Sequence, residues 1–217
     1  MISEFTKRFV SSIFLLPIVL FFIIKGSYLF NLFICICFLI IAYEWRMMTK
    51  KRKYNIYGYI FLILSFYSIY KLRNDFIGDY FYILLITFIC IFTDLGGYFF
   101  GKFFKGPKLT KISPNKTYAG MIGGYFLSAV FIVFFLKYNF MLDINIKFNF
   151  SIILFTIIVS TISQLGDILI SYFKRLSKIK DTGKVIPGHG GLLDRADGMI
   201  FAFPFSYIFF SLGIINL

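Results

Sequence analysis

Long apolar runs separated by short polar segments follow one another along the whole chain. Several runs approach the length, about 20 residues, that an α-helix needs to cross roughly 30 Å of hydrocarbon. We predict seven membrane-spanning helices at residues 9–24, 28–45, 55–70, 80–100, 118–136, 150–170 and 198–216. No polar segment between them is long enough to fold separately. The pattern therefore predicts an all-α, polytopic membrane protein in which residues 1–217 form a single integral membrane domain.

Composition agrees with this prediction. The chain is 59% hydrophobic and 15% charged, whereas soluble domains are typically about 25% charged. Lys7 and Arg8 precede the first apolar run, as in a signal peptide. Because six more apolar runs follow and no small-residue cleavage site is evident, we expect this run to be an uncleaved first span.

Positive charges alternate between the two sides of the predicted bundle. Of the 23 lysines and arginines, 18 fall on one side, and the five on the other are Lys25, Lys71, Arg73, Lys137 and Lys147. Cytoplasmic loops carry the excess of Lys and Arg in membrane proteins. We therefore expect the N-terminus in the cytoplasm, the C-terminus outside, and most of the net charge of +13 on the cytoplasmic face.

The cation-rich loop at 46–53 needs no further explanation than topology and attraction to anionic lipid headgroups. The other two cytoplasmic loops differ, because they mix cations, carboxylates and glycines in an ordered way. Those two loops are the candidates for chemistry.

A polar stripe runs along the sixth predicted span. Ser160, Gln164, Asp167, Ser171 and Lys174 are spaced by three or four positions, which places them on one helical face. Ser and Gln can serve as interhelical hydrogen-bond partners. A carboxylate in or near hydrocarbon costs several kcal/mol unless it is paired or metal-bound. We interpret Asp167 as functional, with a structural ion pair as the alternative.

The loop after this span contains the sequence PGHGG at 187–191, a turn in which backbone N–H groups can approach a ligand closely. Asp194 and Asp197 follow at the start of the last span. Carboxylates there suit the helix dipole, but together with Asp167 they could also share a divalent cation. Mg²⁺ suits few carboxylates, water and phosphate oxygens. For His189, the only histidine, we favour contact with phosphate or substrate over a general base or a plain loop residue.

A third polar element begins at Asp94, at the cytoplasmic end of the fourth span. Gly97 and Gly101 lie on its helical face and permit close helix packing. The loop that follows alternates glycine and lysine and resembles a phosphate cradle in residue type, but it lacks the Walker A spacing. A small-residue packing ridge follows, which we read as structural: Gly120, Gly124 and Ser128. Two cation-rich loops, each beside an aspartate, suit phosphoryl or nucleotidyl transfer to a lipid phosphate.

The ordered residues of both loops resemble the phosphatidate cytidylyltransferase (CDP-diacylglycerol synthase) family. The long signature consists of Ser171-x-x-Lys174-Arg175, Lys180-Asp181, the PGHGG of 187–191, Leu193-Asp194-Arg195 and Asp197. Gly166-Asp167 and the segment from Asp94 to Gly120 also look like that family. The resemblance is strongest over 94–124 and 163–198, and family members are commonly longer on the N-terminal side.

The resemblance implies transfer of the cytidylyl group of CTP to phosphatidate, giving CDP-diacylglycerol and pyrophosphate, with Mg²⁺ and room for a second cation, monovalent or divalent. It implies these catalytic residues: Asp167, Asp194, Lys174, Arg175, Lys180, Asp181 and His189. Asp167 and Asp194 would be metal ligands, with Asp197 and Asp94 as additional or supporting ones. It implies these substrate-binding residues: Ser113, Lys116, Thr117, Ser171, Gly188, Gly190, Gly191 and Arg195.

The same resemblance implies CTP, phosphatidate and the lipid bilayer as partners, no nucleic acid, and room for a homodimer. It places the enzyme in the bacterial cytoplasmic membrane, with its active site on the cytoplasmic side. Two other classes of function stay open. One is a related lipid kinase or a cytidylyltransferase for another lipid phosphate. The other is a transporter or channel that uses Asp167, disfavoured because the other spans lack matching charges and no inverted repeat is visible.

Overall fold

The chain folds into helices joined by short loops. The computed structural model describes residues 4–50, 52–75, 80–138, 149–186 and 190–214, with side chains from residue 15 onward. The helices are α1 (Glu4–Lys25), α2 (Ser27–Thr49), α3 (Asn55–Asn74), α4 (Phe81–Phe104), α5 (Tyr118–Tyr138), α6 (Phe150–Leu176), α7 (Leu193–Ala196) and α8 (Met199–Ser211). Within these described ranges only two isolated β-bridges occur, so the predicted all-α class is confirmed.

Each of the seven predicted spans overlaps a helix, but the last one, predicted at 198–216, is too long, because α8 ends at Ser211 and residues 212–214 form a turn. The helix α7 is an additional single turn. Four helices, α2, α4, α5 and α6, are long and apolar enough to cross a bilayer. The 13-residue α8 extends only about 20 Å at 1.5 Å per residue. The described residues thus support an integral membrane protein with at least these four candidate spans, while the count of seven stays a prediction.

The outer surface of the bundle is apolar. Large hydrophobic side chains such as Leu39, Ile60 and Phe103 are 60%, 60% and 82% exposed, and many others share this exposure. An exterior of this kind is unfavourable in water and suits contact with lipid. One core cluster fills the middle of the bundle between α4, α5, α6 and α8. A second fills the space between α2, α3, α6 and α7.

Glycines bring α4 and α5 into backbone contact. A Cβ atom at Gly120 would lie 2.7 Å from the carbonyl oxygen of Gly97, and one at Gly96 would lie 2.3 Å from that of Gly123. Ordinary side chains would force these helices apart. The predicted close packing beside Asp94 is therefore confirmed, and it joins the end of α4 to the start of α5 at the candidate site.

Candidate active site

A cavity of about 490 Å³ opens at the end of the bundle where α4 and α6 finish and α5 begins. Its walls come from α4, the 105–117 loop, the first turn of α5, α6 and the segment 181–197. Charged residues dominate the lining: Asp94, Lys116, Asp167, Lys174, Asp181, Asp194, Arg195 and Asp197. All eight are predicted site residues, brought together from four of these segments.

The deeper part of the polar stripe on α6 binds neighbouring helices. The hydroxyls of Ser160 and Thr93 lie 2.7 Å apart, joining α6 to α4. Gln164 donates to the carbonyl of Met121, with 3.5 Å between the two atoms, and faces the cavity. Ser160 thus serves as an interhelical partner, and the stripe reaches the cavity from Gln164 onward.

Asp167 is the meeting point of two segments. One of its oxygens forms an ion pair with the ammonium of Lys116, and the other accepts a hydrogen bond of 3.3 Å from the hydroxyl of Ser171. Asp94 faces the same cavity from α4. Asp167 lies nine residues before the end of α6, which corresponds to about 14 Å of helix. The carboxylates are therefore recessed below the helix ends yet open to the cavity.

The 105–117 loop presents Lys116 through its own backbone. The amide of Leu109 donates to the carbonyl of Lys116 at 2.7 Å, and the amide of Lys116 donates to the carbonyl of Ser113 at 3.0 Å. An isolated bridge joins Lys108 to Thr117. Such a folded turn fixes the direction of the lysine side chain toward α6.

Asp194 organises the segment between α6 and α7. Its Oδ1 accepts from the ammonium of Lys174 at 2.8 Å. Its Oδ2 accepts from the backbone amides of Thr182 at 2.7 Å and Gly191 at 2.9 Å. Burial alone would raise the pKa of this carboxyl, but the Lys174 ammonium and the two amides outweigh burial and lower the pKa of Asp194.

Asp197 has the opposite electrostatic environment. It is 8% exposed and lies within hydrogen-bonding range of Asp167, with Asp94 also nearby. Burial and the charges of these two carboxylates raise the pKa of Asp197 well above its usual range, although Lys174 opposes the shift. Three carboxylates, Asp94, Asp167 and Asp197, therefore lie close together, and their donors include Lys116, Ser171 and the amide of Gly198.

These carboxylates can be compared with the ligands that a divalent cation needs. Over the described parts of the chain, no three His, Cys, Asp or Glu side chains form a ready-made metal cluster. A pair of carboxylates, Asp167 and Asp197, remains, beside open cavity volume. Mg²⁺ commonly takes only one or two carboxylates and completes its shell with water and phosphate oxygens. The residues present therefore suit Mg²⁺ held partly by substrate.

The other predicted residues differ in how close they lie to the cavity. Ser113 and Thr117 line the cavity, and Gly190 packs so close that a Cβ atom would lie 2.8 Å from Oδ2 of Asp194. Lys180 is exposed, and Arg175 turns to the carbonyl of Ile179; neither lines the cavity. Gly188 and His189 lie outside the described residues.

Two residues that hold the site together, Glu44 and Thr182, were not predicted from the sequence. Glu44 is buried in α2, and its carboxylate accepts from the amides of Leu192 and Leu193 and from the hydroxyl of Thr182. The signal that could have found Glu44 is a lone carboxylate in an otherwise apolar span. Thr182 gave no such signal, because its partners are set by the path of the loop.

The chain matches a protein-family model described as "Cytidylyltransferase family" over residues 59–212. It is 35% identical over 179 residues to a phosphatidate cytidylyltransferase of Staphylococcus haemolyticus (strain JCSC1435) and 36% identical over 182 residues to one of Staphylococcus aureus (strain COL). Each comparison covers 79% of this chain and 65% of the relative. A phosphatidate cytidylyltransferase of Bacillus subtilis (strain 168) is 35% identical over 157 residues, 70% of this chain and 56% of the relative. The chain thus spans between 56% and 65% of the length of these relatives.

Proposed function

We propose that this chain, which belongs to the cytidylyltransferase family, transfers the cytidylyl group of CTP to phosphatidate, giving CDP-diacylglycerol and pyrophosphate. The curated relatives in Staphylococcus and Bacillus carry that name. The observation that carries the proposal is the recessed cavity at one end of an apolar bundle, which combines several carboxylates with Lys116, Lys174 and Arg195.

Such a cavity suits two anionic substrates that must meet. Cations supply charge for a triphosphate and a lipid phosphate, whose mutual repulsion would otherwise oppose their approach. The carboxylates would repel the same phosphates unless a metal ion lay between them. A site with both signs of charge therefore fits metal-assisted transfer better than simple anion binding.

In the proposed reaction, a phosphate oxygen of phosphatidate attacks the α-phosphorus of CTP. The bond from that phosphorus to the oxygen bridging the β-phosphorus breaks, and pyrophosphate leaves with the electron pair. Because the attacking phosphate is already anionic near neutral pH, no strong general base is needed. We assign Lys116, Lys174 and Arg195 to holding the phosphate groups in line, so that positioning and charge neutralisation supply most of the catalysis.

Mg²⁺ would neutralise charge developing on the transferred and leaving phosphate oxygens when it is bound. Asp167 and Asp197 are the residues we assign to hold it, with Asp94 opposite them. Asp194, predicted from the resemblance as a ligand, already accepts from Lys174 and two amides. We propose that its main contribution is to place Lys174 and the 181–193 segment. We also propose that the remaining carboxylate oxygens hold a second cation.

The membrane setting completes the proposal. Seven spans, a cytoplasmic N-terminus and a cavity on the cytoplasmic side would give CTP access from the cytoplasm and phosphatidate access from the bilayer. The bacterial relatives support placement in the cytoplasmic membrane, and a homodimer is compatible with the apolar exterior.

The test uses purified protein in detergent micelles containing phosphatidate, with CTP labelled at either the α- or the γ-phosphorus and with Mg²⁺ or EDTA. We expect label from the α-position, and none from the γ-position, to enter the lipid, only with Mg²⁺. Chromatography of the extracted lipids resolves the products.

The other outcomes are equally readable. Transfer of γ-label would show a lipid kinase. Transfer of α-label to another lipid phosphate, but not to phosphatidate, would show that the other lipid phosphate is the substrate. Absence of lipid label from folded protein offered several lipid phosphates would overturn the proposal, and ion flux in liposomes without nucleotide would revive a transporter.

A further inference from the structure

Glu44 is a buried carboxylate far in sequence from the site it contacts. It lies in the last two turns of α2 and is 2% exposed. It precedes the residues 59–212 that the family model matches. An ionised carboxylate at such a position is costly unless several donors satisfy it.

Three donors satisfy the Glu44 carboxylate, and all come from the segment between α6 and α8. Oε1 accepts from the amide of Leu192 at 2.9 Å, and Oε2 accepts from the amide of Leu193 at 2.8 Å. The hydroxyl of Thr182 lies 3.1 Å from Oε2 of Glu44 and 3.0 Å from Oδ2 of Asp194. Since that hydroxyl has one proton, it donates to one carboxylate at a time and couples the two.

The packing around Glu44 is close on the same side. A Cβ atom at Gly191 would lie 2.5 Å from Oε2 of Glu44, and one at Gly183 would lie 2.6 Å from Oε1. Both glycines belong to the segment whose amides the carboxylate holds. Glu44 therefore contacts this segment at both its beginning and its end.

We propose that Glu44 is a positioning residue that docks Thr182 and residues 190–193 onto α2 and, through Thr182 and Asp194, sets the place of Lys174 in the cavity. The inference rests on the proposed function for its kinetic consequence, but its structural part is independent of that function. Glu44 does not line the cavity itself, so it acts through other residues.

Charge and shape both require a carboxylate here. The side-chain amide of glutamine has one acceptor oxygen and one NH₂ donor group. In either orientation the NH₂ group would therefore face a backbone N–H, and two donors would meet without an acceptor. Removal of one partner leaves a buried donor unsatisfied, which costs more than the hydrogen bond contributes. Glu44→Gln is therefore a nearly isosteric change that should loosen the segment.

The decisive measurement is amide hydrogen exchange in the full-length protein without nucleotide or lipid. In Glu44→Gln we expect amides of 182–186 and 190–193 to exchange about tenfold faster than in the unchanged protein, while α4 and α5 keep their protection. Thr49→Val is the matched control: Thr49 lies in the same helix, is 0% exposed and hydrogen-bonds to Asn55, away from this segment.

Kinetics give the second readout. Glu44→Gln should lower kcat about 10- to 100-fold, as loss of residues that orient a metal or phosphate site commonly does, with a smaller change in KM for CTP. Thr49→Val should leave kcat within about twofold at a similar loss of thermal stability. If Glu44→Gln proves too unstable to purify, Thr182→Val removes only the hydroxyl that bridges Glu44 and Asp194 and keeps both amide contacts of Glu44; it should accelerate exchange at 190–193 and lower kcat by a smaller factor.

The outcomes separate this inference from the proposed function. Unchanged exchange at 182–186 and 190–193 in Glu44→Gln would overturn the inference, whatever the protein catalyses. Faster exchange in this segment with no cytidylyl transfer even by the unchanged protein would support the docking role and overturn the proposed function. Faster exchange everywhere, with an equal loss of kcat in Thr49→Val, would mean that Glu44 contributes only to stability and would overturn the inference.

Discussion

The two polar segments that line the cavity are built in different ways. The 105–117 loop is held by hydrogen bonds within its own backbone, between residues at most 11 positions apart. The described parts of the 181–193 segment include a backbone hydrogen bond from the amide of Ile186 to the carbonyl of Gly190, but Thr182 and residues 191–193 are held by two carboxylates, Glu44 on α2 and Asp194 on α7. A self-contained turn should tolerate the loss of a side chain, whereas a segment docked by buried charges should not. The comparison teaches that mutations of equal size should have local effects in the first segment and spreading effects in the second.

The largest effect is expected at Asp167, which pairs with Lys116 of the 105–117 loop and lies within hydrogen-bonding range of Asp197. Asp167→Asn removes the charge that pairs with Lys116 and, in the proposed function, a metal ligand. We expect turnover to fall by on the order of 10³-fold, with little loss of thermal stability because the residue faces an open cavity. Initial rates of lipid cytidylylation measure turnover, and a thermal unfolding scan measures thermal stability. A rate within tenfold of that of the unchanged protein would show that turnover depends neither on the ion pair of Asp167 with Lys116 nor on Asp167 as a metal ligand.

The second prediction concerns Asp194, the carboxylate that holds the docked segment. Asp194→Ala leaves the nearly buried ammonium of Lys174 and two backbone amides without their acceptor. Breaking a buried ion pair from one side typically costs about 3–5 kcal/mol. We expect turnover to fall by on the order of 10²-fold or more and the melting temperature to fall as well.

A comparison of Asp194→Ala with Asp167→Asn sharpens the distinction between the two aspartates. If Asp194 were mainly a metal ligand, Asp194→Ala would abolish turnover without accelerating amide exchange at Thr182 and Gly191. If it holds the segment, as we propose, exchange at those amides accelerates. Exchange measured without Mg²⁺ decides between these roles.

Lys116 tests the self-contained loop. Lys116→Met should lower kcat/KM for CTP about 10- to 100-fold, since one charge-assisted contact to phosphate contributes roughly 1.5–3 kcal/mol. Because backbone hydrogen bonds hold the turn, amide exchange over 105–117 should not change. Lys111→Met is the matched control, as Lys111 is exposed on the same loop and does not line the cavity. Equal losses from both substitutions would mean that only the net charge of the loop matters.

The sequence predicted those features of the fold that depend on local pattern. All seven apolar runs form helices over most of their length. Helical periodicity alone places Gln164, Asp167 and Lys174 on one face, and all three line the cavity. The glycines of α4 and the small-residue ridge of α5 were each predicted as packing surfaces, and the structure shows that they pack on each other. Each of these features needs only a few consecutive turns of helix.

Long-range contacts were not predictable in the same way. Glu44 meets Leu193 across 149 positions, and no pattern in a single sequence indicates which loop amides a carboxylate will reach. Asp194 and Asp197 are three positions apart, so the sequence favoured a shared role. In the structure, Asp194 accepts hydrogen bonds from Lys174 and from backbone amides, whereas Asp197 lies beside Asp167. Their division depends on the short α7 and the turn after it.

The smallest effects should come from glycines that support the self-contained loop. Gly120 and Gly106 lie on the α5 and α4 sides of it. A methyl group at Gly120 would press on the backbone of α4 at 2.7 Å and on the hydroxyl of Thr117 at 3.3 Å, so Gly120→Ala must push the helices apart at a cost of about 1–3 kcal/mol. Gly106 has φ +97° and no atom within 4 Å of an added Cβ, so Gly106→Ala costs about 1–2 kcal/mol in backbone conformation alone.

Both glycine variants should therefore lower the melting temperature by similar amounts, but they should differ in activity. Only Gly120→Ala moves the start of α5, and with it Thr117 and Lys116 at the cavity wall, so only it should lower kcat/KM for CTP, by a few-fold. Thermal unfolding and initial rates on the two proteins measure this contrast. Equal kinetic losses would mean that the loop transmits strain from Gly106 to Lys116, and the turn would then not be the rigid, self-contained unit that its backbone hydrogen bonds indicate.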